Sequence, residues 1–407
     1  MVSSARWVMF ALAASAFAQN LPDRRQIDAI MTELASLSGF KVKRQVSFHS
    51  IDRAGVNHYF KDRMQQSVKP KEVRAEELTL KKFGFVAADY NLLESTAKLL
   101  TEQAAAFYDY HDQQLYITDW APAALRDTAL THELAHALAD QNYPIGKYLK
   151  KASKDSEAAM AREAVVEGQA TLLASEVEFR RKKNALPAED RAPSQAVEPD
   201  YPEFDHAPLY FRETLLFPYI KGSLFQQQVI ARDGQRGYRE VFEHAPKSTR
   251  QILNVKSYFS DDAVEQPRLP GVPRGVHKLK GVVDGTLGAL EHHILLQQFG
   301  SVAAADALVG AWRGCRYRIY QIDQPKQIDQ PKQLNPLLYS SAWQDEASAR
   351  DFFAAYEQVL RRKWKAMEIT TRAPTRITGH GDDGYFDLAL SGTRVSSREG
   401  WPNPLAE

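Results

Sequence analysis

The sequence predicts an α+β fold richer in helix than in strand, and two observations carry that reading. Long segments repeat apolar residues every three or four positions, the spacing of one helix face, whereas only short stretches alternate or cluster aromatic and β-branched residues as strands do. The chain has 407 residues, of which 44% are hydrophobic. That is enough for two or three packed units at roughly 150 residues each.

The elements follow in order. Residues 1–18 read as an export signal: Arg6 supplies charge, Trp7 to Phe17 is apolar, and Ala16-Phe17-Ala18 offers small residues for cleavage after Ala18. The apolar run is about a dozen residues, short of the roughly 20 that a spanning helix needs. No later segment is long and apolar enough to span, so a secreted chain, periplasmic or extracellular, is expected. Asp23 to Leu37 carries Ile27, Ile30, Leu34 and Leu37 at helical spacing, Phe40 to Phe48 alternates as a strand, and Glu76 to Leu100 returns to helix. Phe107 to Ile117 predicts a hairpin turning at His111-Asp112-Gln113. Two long helices follow, Asp127 to Gln141 and Asp155 to Lys183; Asp155 or Ser156 caps the second, and cations from Arg180 to Lys183 close it.

Asn184 to Pro208, rich in Pro, Ala and acids, reads as a linker or surface loop. Beyond it, Leu215 to Ala231 and Gly285 to Phe299 have helical spacing, with a Pro- and Gly-rich stretch between them. The hexapeptide QIDQPK occurs twice, at 321–326 and 327–332; two proline-bearing copies cannot stack as a solenoid and read as an expanded loop. Asp345 to Trp364 is an amphipathic helix with Phe352, Phe353, Tyr356 and Leu360, GHGDDG forms turns, and Tyr385 to Leu390 resembles a strand. The expected division is a first unit at 19–200, a mainly helical unit at 201–340, and a helix with short strands at 341–407.

With Lys plus Arg at 52 and Asp plus Glu at 51, the net charge of +1 gives no broad basic field for nucleic acid. A single cysteine, Cys315, excludes an intramolecular disulfide and a Cys-rich metal site, so a bound metal must use His and carboxylate ligands.

THELAHALADQN has the residues for such a site. On a helix, His136 lies about 40° round from His132, Asp140 about 80° and Glu133 about 100°, while Leu130, Leu134 and Leu138 face the other way. Imidazoles four residues apart stack one turn apart and share one Zn2+ ion, and Glu133, to the side, is the general base for a metal-activated water. A catalytic zinc takes three protein ligands and keeps a position open. The second long helix offers Glu163 and Glu167 on one face, beside Ala170 and Ala174, and Gly168 suits a close backbone approach. Either acid fits as third ligand, with the other bonded to a ligand His.

HELAHALADQ followed by VEGQA resembles gluzincin-like bacterial zinc metallopeptidases with HELxHALxDQ and a downstream EGxA. The likeness continues in FPYIKGSLF (217–225), APKSTRQIL (245–253) and AWRGCRYRIY (311–320). The resemblance implies a zincin-like catalytic domain, with a small sheet over the HExxH helix, completed by the mainly helical unit. It implies Glu167 as third ligand, although a gluzincin pattern with ligand and supporting acid four residues apart favours Glu163. The family's GWxGDxY stands here as Ala311 to Tyr317 without its Asp, and Ala289 stands where glutamate is expected.

Tyr219 or Tyr317 would donate to a developing oxyanion. His292 and His293 share no helix face and read as structural; His380 with Asp382 and Asp383 reads as a polar turn, and Asp205 with His206 as part of the linker. The expectation is an enzyme, a zinc metallopeptidase hydrolysing the amide bonds of a peptide or protein substrate. The alternative is a non-catalytic zinc-containing binding or scaffold protein of the cell envelope.

Overall fold

The computed structural model describes residues 22–67, 69–102, 106–120, 123–185, 202–276, 279–322 and 334–403. The export signal, most of the QIDQPK repeat and most of the 184–208 linker lie outside them. Two compact units are formed, one from the described parts of Met1–Val73, Asn91–Ala207 and Phe211–Pro246, the other from Arg74–Tyr90, Pro208–Tyr210 and Lys247–Glu407.

The first unit holds a three-stranded sheet in the order β1-β3-β2, with β1 at Ser47–Ile51, β2 at Ala106–Asp109 and β3 at Gln114–Thr118. β2 and β3 are the predicted hairpin, antiparallel with Tyr108 opposite Leu115. Gln113 takes the left-handed conformation at φ 57° to close the turn. β1 runs parallel to β3, pairing Ser47 with Gln114. Three helices accompany this sheet: Arg24–Ser38, Ala123–Asn142 (the histidine helix) and Ser156–Ala185 (the glutamate helix). The histidine helix packs on β2 and on both of the other helices. From 129 to 141 it is therefore covered on every side: Leu130, Leu134 and Leu138 are at most 2% exposed, and so are His132 and Glu133. Each buried leucine contributes about 1.5–3 kcal/mol.

The strand expected over 40–48 begins only at Ser47, and the reason lies at the end of the histidine helix. Gln141 Oε1 accepts from the amides of Lys43 and Arg44 at 2.7 and 3.1 Å, and its Nε2 donates to Arg44 O. Asn142 does the same for Lys41, accepting from its N–H and donating to its carbonyl. Side chains thus take the backbone groups that a sheet ladder would have used.

A long helix, Leu209–Asp233, contains Pro218 and crosses the glutamate helix at a pair of glycines. A Cβ added to Gly168 would lie 2.0 Å from the carbonyl carbon of Gly222, and one added to Gly222 would lie 2.1 Å from Ala164 O. The close approach read into Gly168 is real, but the backbone it meets is that of the Leu209–Asp233 helix.

The second unit corrects the expectation of a mainly helical partner. It is built on a seven-stranded antiparallel sheet in the order β4-β5-β6-β10-β9-β8-β7. The strands are β4 (Leu279–Gly285), β5 (Trp312–Ile322), β6 (Leu337–Trp343), β7 (Met367–Ala373), β8 (Arg376–Gly381), β9 (Gly384–Ser391) and β10 (Arg394–Trp401). The predicted helices survive as Ala289–Phe299 and Glu346–Lys363, the first starting four residues later than the expected Gly285, which instead ends strand β4. Helix Glu346–Lys363 lies on β6, β9 and β10. Its Tyr356 stacks on Tyr339 at 5.1 Å and its Phe352 on Trp343 at 4.2 Å, in a fully buried aromatic core.

Candidate metal centre

The histidine helix presents two imidazole nitrogens to one point, and the glutamate helix brings a carboxylate to the same point. His132 Nε2 and His136 Nε2 are 2.9 Å apart, and Glu167 Oε2 is 3.2 Å from each. Ligand atoms at about 2.0–2.1 Å on a tetrahedral zinc stand roughly 3.3 Å from one another. The spacing of these three atoms therefore fits three corners of a zinc tetrahedron, and two imidazoles with one carboxylate are a donor set that zinc accepts. Among the described residues this is the one group of three His, Cys or acidic side chains close enough to share an ion.

The side chains are buried, and their electrostatics follow from mutual contact. Burial disfavours every charged form here, yet the His136–Glu167 attraction outweighs it: the His136 pKa rises to about 9 and that of Glu167 falls to about 2. His132 goes the other way, its pKa lowered by burial and by the neighbouring His136 charge despite the hydrogen bond with Glu167. Two ring nitrogens 2.9 Å apart cannot both carry protons, so the two shifts share one cause.

Glu133 sits beside the group rather than in it. The Tyr108 N–H on β2 donates to its Oε2 at 2.8 Å. Burial raises its pKa to about 8, against the lowering effects of His136 and of the Tyr108 amide. Tyr219, from the Leu209–Asp233 helix, has its ring centroid 6.0 Å from that of His132. Burial, then the charges of Glu167, Glu133 and Glu163, hold its hydroxyl protonated well above the ordinary range. The glycine crossing explains why this tyrosine arrives here: Gly222 is one turn beyond Tyr219, and Gly168 follows Glu167 directly.

Glu163 is buried but is not in the three-residue group; its charge acts on the hydroxyls of Tyr110 and Tyr219. Tyr317 belongs to the second unit, on β5, with its hydroxyl 3.3 Å from Thr79 Oγ1. His292 is buried, its Nδ1–H donating to Gly288 O at 2.7 Å and its Nε2 accepting from the Tyr339 hydroxyl at 2.7 Å. His293 pairs with Asp306. Asp382, which accepts from the amides of Lys365 and Ala366, and Asp383, which pairs with Lys82, form the expected polar turn, whereas His380 stands exposed on β8, opposite Glu368 and Tyr385. His206 is exposed and donates to Pro202 O.

The sequence reading missed two roles. Asp140 is an anchor, accepting from the Tyr108 hydroxyl at 3.1 Å, Gln113 Nε2 at 3.3 Å, Arg44 at 3.4 Å and the Ile145 amide at 2.9 Å. Its place in HALAD, on the histidine side of the helix, was the available signal. The Tyr108 amide left none, because a backbone contact is set by the hairpin's placement and not by a side-chain type.

Compared with known proteins, residues 277–405 match the model of a domain of unknown function, DUF8575. No curated protein and no solved structure matches the chain. No helix among the described residues is long and apolar enough to cross a membrane. His132, His136 and Glu167 all precede the matched segment, which lies within the sheet-bearing second unit.

Proposed function

We propose that this chain is a zinc-dependent hydrolase of peptide bonds, held in the metallopeptidase class by the same residues that resemble gluzincins. The observation that carries the reading is the convergence of His132, His136 and Glu167 within hydrogen-bond distance of one another, with Glu133 beside them on the same helix. Zinc, when bound, supplies Lewis acidity and lowers the pKa of a coordinated water to about 7.

The remaining steps belong to the protein. His132 and His136 give Nε2 lone pairs, and Glu167 gives a carboxylate oxygen. With Oε2 held by the Tyr108 amide, Glu133 keeps Oε1 for the proton of the attacking water and returns that proton to the leaving nitrogen. In the metal-free protein burial raises the Glu133 pKa, which makes its carboxylate a stronger proton acceptor than an exposed glutamate. Tyr219 remains protonated and donates to the oxyanion that develops at the substrate carbonyl.

The test is a comparison of zinc-loaded protein with Glu133→Gln on a diverse peptide library. The expected result is zinc retained in both and hydrolysis confined to the unaltered chain. Identical, chelator-insensitive behaviour of the two would favour a non-catalytic zinc protein of the cell envelope. We also propose export, with cleavage after Ala18; the N-terminal sequence of protein recovered from outside the cytoplasm checks it.

A further inference from the structure

The Leu209–Asp233 helix brings Tyr219 to the metal group, and the residues beside Tyr219 face outward. Ile220 is 50% exposed, and one turn to either side Leu216 is 42% and Leu224 46% exposed. Three large aliphatics in successive turns form a ridge. The other exposed large hydrophobics of the described chain, such as Val42, Leu93 and Val272, occur singly in sequence. One turn before Leu216 the ridge ends at Arg212. Its Nε is buried and has no hydrogen-bond partner, and Arg212 makes no ion pair among the described residues. The side chain as a whole is half-buried, so its charge is only partly solvated and an anion beside it is favoured. Arg212 also lies in the first turn of a 25-residue helix, whose dipole favours negative charge at that end.

We infer that this helix is the substrate-recognition edge of the candidate site: Leu216, Ile220 and Leu224 seat aliphatic side chains of a peptide, and Arg212 binds its C-terminal carboxylate. This rests on the peptidase reading and deepens it. Apolar surface and a lone guanidinium at its end complement an apolar chain that finishes in an anion. Seven residues of helix separate Arg212 from Tyr219, about 10 Å at a rise of 1.5 Å per residue, and an extended peptide covers that in about three residues. The carboxylate thus lies roughly three residues beyond the bond nearest Tyr219, and the enzyme releases short C-terminal fragments.

The experiment measures binding without turnover, using the full chain carrying Glu133→Gln, with zinc content determined on the same samples. The probes are a fluorescein-labelled leucine-rich hexapeptide as free acid, the same peptide as C-terminal amide, and an amidated version with one internal glutamate. The expected result is about tenfold tighter binding of the free acid than of either amide. Adding Arg212→Gln removes that difference, Arg212→Lys restores part of it, and Ile220→Ser weakens acid and amide alike. Equal binding of acid and amide, a preference that persists in Arg212→Gln, no binding of any probe, or tightest binding of the internal-glutamate amide would overturn the inference. These outcomes with zinc still bound leave the peptidase reading standing; failure of the chain to take up zinc overturns that reading whichever way the peptides bind.

Discussion

The Tyr108 amide on β2 donates to Glu133 Oε2 at 2.8 Å, so the hairpin of the small sheet fixes the orientation of the acid that follows His132. A backbone donor cannot be removed by changing a side chain, which makes this tether robust to substitution at Tyr108 itself. Glu133→Gln keeps an oxygen able to accept from the Tyr108 amide, so folding and zinc content are expected to be unchanged. Peptide hydrolysis falls by about 10²- to 10⁴-fold, the usual loss for a general base. Steady-state kinetics beside metal analysis reads both; wild-type turnover in the variant would remove Glu133 from the chemistry.

Glu167 and Glu163 separate in the same assay. Glu167→Gln removes the carboxylate 3.2 Å from both imidazole nitrogens and is expected to lower zinc affinity by at least 100-fold, whereas Glu163→Gln leaves it within about tenfold, at or below the lower end of the roughly 10- to 100-fold that a supporting contact is worth. Competition against a fluorescent chelator measures both. The reverse order would make Glu163 the ligand.

Zinc uptake expels a proton. In the metal-free chain His136, with a pKa near 9, holds a proton against Glu167, and a metal needs that lone pair. Zinc affinity therefore rises with pH up to about 9 and weakens as pH falls below it. Calorimetric titrations at pH 7.5 in buffers of different ionisation enthalpy are expected to show about one proton released per zinc bound; heats independent of buffer would contradict the His136–Glu167 pair.

The glycine crossing is a stability test. Gly168→Ala gains about 1 kcal/mol of helix propensity. Its Cβ would stand 2.0 Å from Gly222 backbone, which no rotamer change relieves, so the two helices must part. The expected net effect is a loss of about 2 kcal/mol or more in urea unfolding, with weaker substrate turnover as the helix bearing Tyr219 shifts. Unchanged stability would mean that the helices do not meet there.

His292 adds a pH dependence in the second unit. Burial lowers its pKa from 6.5 to about 4, despite the bond to Gly288 O. Because the folded value is the lower, the unfolded chain takes up the proton first: this contribution is intact above pH 6.5 and is lost as pH falls towards 4, about 3 kcal/mol in all. Unfolding of the chain and of His292→Gln, compared at pH 7, 5.5 and 4.5, is expected to show a shallower decline in the variant. Parallel curves would contradict the assignment.

The metal group was legible because its histidines sit on one helix, where spacing alone sets geometry. The third ligand was legible only as a pair of candidates, since a register between two helices decides which glutamate reaches the imidazoles. The small hairpin and the long helices were readable from local pattern. Of the seven-stranded sheet only β9 was, as the strand read over Tyr385 to Leu390; elsewhere strands hide polar groups in pairs, as where Glu399 on β10 is fully buried against Lys363 and Tyr356. On β5, Arg316 and Arg318 alternate with buried Cys315, Tyr317 and Ile319, a strand signature overlooked beside the neighbouring repeat. Segment 40–46 was misread for the opposite reason, its apolar alternation being real while its backbone partners are the side chains of Gln141 and Asn142.

The most direct test of the metal centre is a zinc titration of the chelator-stripped full chain, followed by X-ray absorption at the zinc edge. The account predicts saturation at one equivalent, a first shell of nitrogen and oxygen with two imidazoles, and loss of that binding in His132→Asn. Failure to bind zinc, or undiminished binding in the His132→Asn chain, would contradict it.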